Sequence, residues 1–397
     1  MQLRALTLAI AALTASTALT TLSAHAQTAT PAAAVAASAV DHKAVVTHHA
    51  AMVHATYADT LTSAKDMQAA IAAFVAAPSA EGLDKARKAW LGAREFYGQT
   101  EAFRFYGGPI DDDKGPEGQI NAWPLDEAYV DYVQGKPKAG IVNNTKFKIT
   151  KAALIKANER GGEENISAGW HAVEFLLWGQ DLSETGPGNR PFEDYVKGKG
   201  ENAERRAQYL TVATELLVED LAGMVKAWEP NAKNYRAKFE KGGKESVRKI
   251  IVGLGSLSRG ELSGERMEVA LNSQDQEDEH SCFSDNTHRD VVNNAKGIQN
   301  VWLGQFKRLD GSTLQGPGVR DLVAAKNPAL AEKTTAQLAA SVAGAEAIPA
   351  PFDRAIAKGS AGRPAIEKTV ASLVAQSKLL VESASAVGIA KLTLVEP

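Results

Sequence analysis

A single cysteine, Cys282, leaves no internal disulfide possible, so core burial must hold the fold. Aromatic residues make up only 6% of the chain, and no segment sustains period-two alternation. Both scarcities speak against a large sheet and for Ala-rich helices packed on one another, with strands minor at most. There is no basic excess either: 44 Lys and Arg face 47 Asp and Glu, a formal charge of −3. That argues against nucleic acid or an anionic membrane as the partner. Beyond residue 26 no apolar run approaches the ~18–20 residues of a spanning helix, so the mature chain is expected to have none. The HExxH helix of many zinc peptidases is also missing.

What is present begins with Arg4, an apolar stretch from Ala5 to Leu22 and Ala24-His25-Ala26, the pattern of a secretory signal peptide over residues 1–26. This implies a periplasmic or cell-envelope address. Residues 27–40 read as a mobile leader. Asp41 is a plausible N-cap, and Val45, Val46, Val53, Tyr57, Leu61, Ala64, Ile71 and Phe74 then recur at helical spacing up to Pro78-Ser79. A second helix follows from Glu81 to Phe103. Residues 106–125, rich in Gly, Pro and Asp, form a long irregular loop of the kind that often carries function. Further helices are expected at 150–158, 167–178, 201–228, 244–259, 264–274, 287–306, 328–346 and 363–386.

The polar, Gly-containing stretch from Pro230 to Gly243 reads as a domain boundary. The expected fold is therefore all-α, with two helical-bundle domains, 41–230 and 243–397. An internal duplication would explain one echo: His171-x-x-Glu174 and Glu265-x-x-Glu268 are each followed by Leu and Gln-Asp at the same offsets.

The most informative stretch is Gly169-Trp170-His171-Ala172-Val173-Glu174-Phe175-Leu176-Leu177-Trp178-Gly179-Gln180-Asp181. On a helix His171 and Glu174 share a face and can reach one cation, with aromatic bulk excluding water. The same spacing also suits a surface His–Glu pair, or a core histidine satisfied by the carboxylate. A second cluster, Glu277 to His288, is either another ion site or a solvated loop with Asp285 as a helix cap. His42, His48, His49 and His54 on the first helix read as solvent-exposed. Cys282 reads as a buried or unreactive thiol.

The motif GWHAVEFLLWGQD resembles the G-x-H-x-x-E signature of the imelysin family, and Thr100 to Phe105 with Gly108 to Asp111 resembles its upstream segment. Asp278 to His288 resembles that family's iron-regulated protein A subgroup. The resemblance implies an exported, two-domain helical protein with its site at the domain interface. It implies metal binding in iron uptake, iron being the expected ion, with zinc, manganese or copper as alternatives. Carried over to this chain, it makes His171 and Glu174 the expected ligands and Glu101 a candidate third; Glu268 joins them if the duplication is real. The expected partners are a metal ion or chelate and an envelope iron-transport protein.

An enzyme is the alternative, since the family takes its name from a metallopeptidase activity. Zinc on an H-x-x-E pair would need a distant histidine, His280 or His288, and a general base. Such sites belong to α/β scaffolds that this helical pattern does not support. A binding protein needs only an imidazole and carboxylates around a hard or borderline cation.

Overall fold

The computed structural model describes residues 40–183 and 185–395, so the signal-peptide reading and nearly all of the leader lie outside the described residues. The chain is mostly helical, 64% helix with 2% strand. The first helix, His42–Ala76, is 35 residues long and starts where Asp41 accepts a hydrogen bond from the Ala44 amide at 2.8 Å. Its apolar stripe of Val45, Val46, Val53, Tyr57, Ala64, Ile71 and Phe74 is fully buried, as period 3.6 demands of a core-facing helix. Ser79 caps the next helix, Ala80–Thr100, in the same way.

These two helices pack against each other, and Ala203–Ala227 lies along the first, while the short helix Gly169–Trp178 fits between the second and Ala203–Ala227. In the second half, Thr287–Leu303, Pro328–Glu346 and Arg363–Ala386 pack together beside Lys244–Ser256. The halves meet where Ala80–Thr100 runs along Thr287–Leu303 and His42–Ala76 touches Lys244–Ser256. All described residues belong to one compact unit. The strand content is a small antiparallel hairpin, Gln305–Lys307 with Thr313–Gln315.

Three local features differ from the sequence expectation. Within 230–243, Asn234 caps a helix, Tyr235–Lys241, whose Phe239 is buried against Trp228 and His49. One apolar side chain amid Lys and Arg is too weak a periodic signal to read. The expected helix at 264–274 is a wide-turned π segment, Leu257–Glu268, running into Val269–Ser273. Finally, His49 is buried, contrary to the expectation of exposure. It occupies the same face as Val45, Val46 and Val53, and Phe103, Trp228 and Phe239 enclose its ring.

Candidate functional site

Every residue of the helix Gly169–Trp178 is buried. Its start explains the first glycine of the motif: Gly169 has φ +83°, and a Cβ there would stand 2.4 Å from the Ile120 carbonyl oxygen. Only glycine tolerates both conditions. At the other end Gly179, with φ +71°, caps the helix through its amide on Phe175 O.

Within this helix His171 Nδ1 and Glu174 Oε2 are hydrogen-bonded at 2.8 Å. Glu174 Oε1 accepts from the Ser284 amide at 3.0 Å and its hydroxyl at 2.6 Å. Burial pushes the Glu174 carboxyl up to about 8, against the opposing pull of Ser284 and Arg94. Burial, reinforced by Arg94, drives His171 well below its ordinary value, so the imidazole is neutral. Its other nitrogen, Nε2, is buried and has no hydrogen-bond partner.

A second histidine faces the first. The ring centroids of His280 and His171 are 4.7 Å apart at an interplanar angle of 72°. His280 Nδ1 lies 2.9 Å from Asp290 Oδ2, which also accepts from the Ser281 hydroxyl at 2.5 Å. Burial, with Arg266 nearby, takes His280 down to about 3. Burial alone would raise Asp290, but Arg94 and His280 outweigh it and hold that carboxyl below the carboxylate range. Arg94 donates to Asp290 Oδ1 at 2.9 Å and to Asn121 Oδ1 at 2.7 Å. Its guanidinium is sandwiched by the rings of Trp90, Tyr97 and Trp170 at 5.2–5.6 Å. The irregular 106–125 loop thus serves the site: Asn121 Nδ2 stands 3.4 Å from His280 Nε2, and Trp123 lies edge-on to the His280 ring.

Glu101 is buried nearby. Its Oε2 accepts from Arg104 at 2.6 Å and Arg266 at 2.7 Å, while Oε1 has no partner. Burial would raise its carboxyl, yet Arg104, Arg266 and His280 overcome that and bring it down to about 2. Glu101 is close enough to influence both histidines electrostatically. Glu268 is elsewhere, partly exposed, 3.8 Å from Arg259 in a surface groove with Lys333, Glu367 and Lys378. The echo in sequence therefore has no echo in environment: His171 and Glu174 are buried, whereas Glu265 is exposed and Glu268 partly so.

The Glu277–His288 cluster divides. His280 and Ser281 turn to the histidine site, Ser284 turns to Glu174, and His288 bonds the Asp285 carbonyl. Asp285 does not cap the following helix as expected, because its backbone is left-handed at φ +56° and Asn286 takes the cap position. Cys282 is buried with its thiol pushed up by burial and four surrounding carboxyls. Sequence reasoning passed over Arg94, Asn121 and Asp290. Arg94 left a trace, standing on one helical face with Trp90 and Tyr97.

Among the described residues no three His, Cys, Asp or Glu side chains are disposed to hold a metal ion as they stand. The donor chemistry nevertheless fits one. A metal-ligating histidine normally gives its second ring nitrogen to a carboxylate, and His171 and His280 each have that partner. His171 Nε2 is then a buried donor lacking anything to bind, which folded proteins rarely leave.

A helical scaffold with one carboxylate-oriented histidine on a G-x-H-x-x-E helix, faced by a second from a distant segment, leads to a class, and the chain belongs to the imelysin family (Peptidase_M75), matched over residues 53–380. Among its relatives is iron-regulated protein A of Synechococcus elongatus, 26% identical over 314 residues, covering 76% of this chain and 74% of that protein. The fold is shared with a protein from Parabacteroides distasonis described as an iron-regulated protein A precursor, with a TM-score of 0.67 and 19% identity over 86% of this chain and 94% of that one. An imelysin-like protein from Psychrobacter arcticum matches with a TM-score of 0.60 and 15% identity, covering 85% of this chain and 92% of that one. Among the described residues no helix is long and apolar enough to cross a membrane.

Proposed function

We propose that this imelysin-family protein is exported and binds a transition-metal ion, iron in the first instance, for iron uptake or metal handling in the bacterial envelope. The observation that carries this reading is the buried, partnerless Nε2 of His171, whose Nδ1 is fixed by Glu174. His280, held likewise by Asp290, supplies a second imidazole beside it. In this reading the two Nε2 atoms are the metal-binding atoms, Glu101 Oε1 is a spare buried carboxylate oxygen of a group that acts on both histidines, and Glu174 orients His171 as well as balancing charge. One neutral imidazole pair with carboxylate oxygen suits iron and does not discriminate strongly against zinc, manganese or copper.

Export is supported by the leader pattern of residues 1–26. The division at 230–243 into two bundles, and their common origin, belong to the same proposal. Metal analysis of protein purified from the periplasm, beside His171→Ala, is the test. Stoichiometric iron in the parent and none in the variant is expected. Equal metal content in both would refute the assignment of the site.

A further inference from the structure

Behind the histidine site lies a group of carboxylates that the proposed iron chemistry does not use. Glu279 is 1% exposed, and neither of its oxygens has a hydrogen-bond partner; the Thr287 hydroxyl is nearby but outside bonding geometry. Asp353, Asp285 and Asp181 are the acidic groups whose fields bear on it, in that order. Three chain segments bring them together. Gln276 donates to the Asp181 carbonyl at 2.6 Å, Gly188 to the Phe283 carbonyl at 2.9 Å, and Arg354 to the Ser183 carbonyl at 2.7 Å.

Asp353 has one oxygen on Arg354 Nε at 2.7 Å, and the other is buried without a partner. Arg354 is the cation whose field acts on Asp181 and Asp285; it is half exposed and already bonded to Asp353 and Ser183. Burial and mutual repulsion push Glu279 far up and Asp285 to about 7. Four carboxyls around one committed arginine are a costly arrangement, since each buried unpaired charge or unbonded oxygen opposes folding.

We infer that Asp181, Glu279, Asp285 and Asp353 form an oxygen-ligand site for a hard divalent cation of the calcium type, separate from the histidine site. The chemistry is all carboxylate oxygen, with Cys282 protonated and His280 turned away, and such donor sets select hard ions that accept six to eight oxygens at flexible distances. The side chains do not converge on one point as they stand, so the ion would draw them inward. Of the four, Asp181 also lines an open cavity of about 470 Å³ with Gln180, Tyr132 and Arg190. Because residues 279 to 285 send Glu279 and Asp285 to this cluster but His280 and Ser284 to the other site, a bound cation would brace the strap that positions His280.

The test is calcium titration of the full chain stripped of metal, followed by calorimetry and thermal melting, with Glu279→Gln, Asp353→Asn and His171→Ala. The wild type and His171→Ala should both bind calcium saturably and melt higher with it. Glu279→Gln and Asp353→Asn should bind at least tenfold more weakly. Without calcium Glu279→Gln should melt above the wild type, since it removes one crowded carboxylate, and this shows that the variant folds. The inference is overturned by absence of saturable calcium binding at millimolar concentration, by equal responses in wild type and Glu279→Gln, or by a response lost only in His171→Ala. The last result would place the ion among the histidines.

Discussion

His171 and His280 meet edge to face from opposite halves of the chain, and each is fastened at Nδ1 by a buried carboxylate of its own, Glu174 and Asp290. In the proposed site both histidines therefore count, although only one lies in the signature helix.

His280→Ala is therefore expected to lower iron or zinc affinity as severely as His171→Ala. Glu174→Gln and Asp290→Asn, which leave the imidazoles in place, should cost about 10–100-fold, the usual effect of removing a carboxylate that orients a metal-bound histidine. Titration of each variant with Fe(II) and Zn(II) measures this. A His280→Ala protein with parental affinity would remove His280 from the site.

The pH dependence follows from Glu174. Its folded carboxyl, at about 8, holds a proton that the unfolded chain releases near its ordinary 4.5. That contribution to stability is fully present below 4.5 and lost as pH rises through 8. His171, lowered by burial, acts oppositely: its contribution is present above 6.5 and lost as pH falls below it. Thermal melts of metal-free protein between pH 5 and 8 should fall less with rising pH in Glu174→Gln than in the parent. Metal binding at neutral pH should release a proton from Glu174, whose carboxyl is protonated in the metal-free site and favoured in its ionised form by a cation on His171; calorimetry in buffers of different ionisation enthalpy reads that number.

Gly169→Ala should destabilise the protein by about 2 kcal/mol or more, from left-handed backbone strain plus collision with the Ile120 carbonyl. Urea unfolding at fixed pH checks it. Gly223→Ala, in a helix with open space around the added methyl, should be neutral or mildly stabilising.

His49 should govern part of the acid limit of stability. Burial, and to a lesser degree His48, take it down to about 3, so the unfolded chain gains a proton below 6.5 that the folded chain refuses until about 3. Stability from this group is lost across that window as pH falls. His49→Phe, placed among Phe103, Trp228 and Phe239, should unfold at a lower pH than the parent. An unchanged acid midpoint would assign the limit to other groups.

Much of this was legible in sequence because it is local. The 3.6-residue period marked most of the long helices, Asp41 marked the first start, and the three-residue spacing of His171 and Glu174 set them on one face. The remainder depends on contacts between distant segments. Asp290 meets Arg94 across 196 residues of chain, and His280 is told from Glu279 only by which way a turn points each side chain. Asn121 sits in a loop without period. The burial of His49 is itself marked locally, since its neighbours at three and four residues, Val45, Val46, Met52 and Val53, are all apolar. The π segment has no comparable marker: its hydrogen-bond register shifts while composition stays helical.

A helix enclosed on every side also sets a tempo. His171 and His280 are each 1% exposed, so an ion reaching them must wait for the 279–285 strap or the 119–123 loop to swing aside. Local opening of that kind is rarer and slower than diffusion. Release into a strong chelator would then proceed at one fixed rate however much chelator is added, the behaviour of a vault with a timed door and not of a sponge.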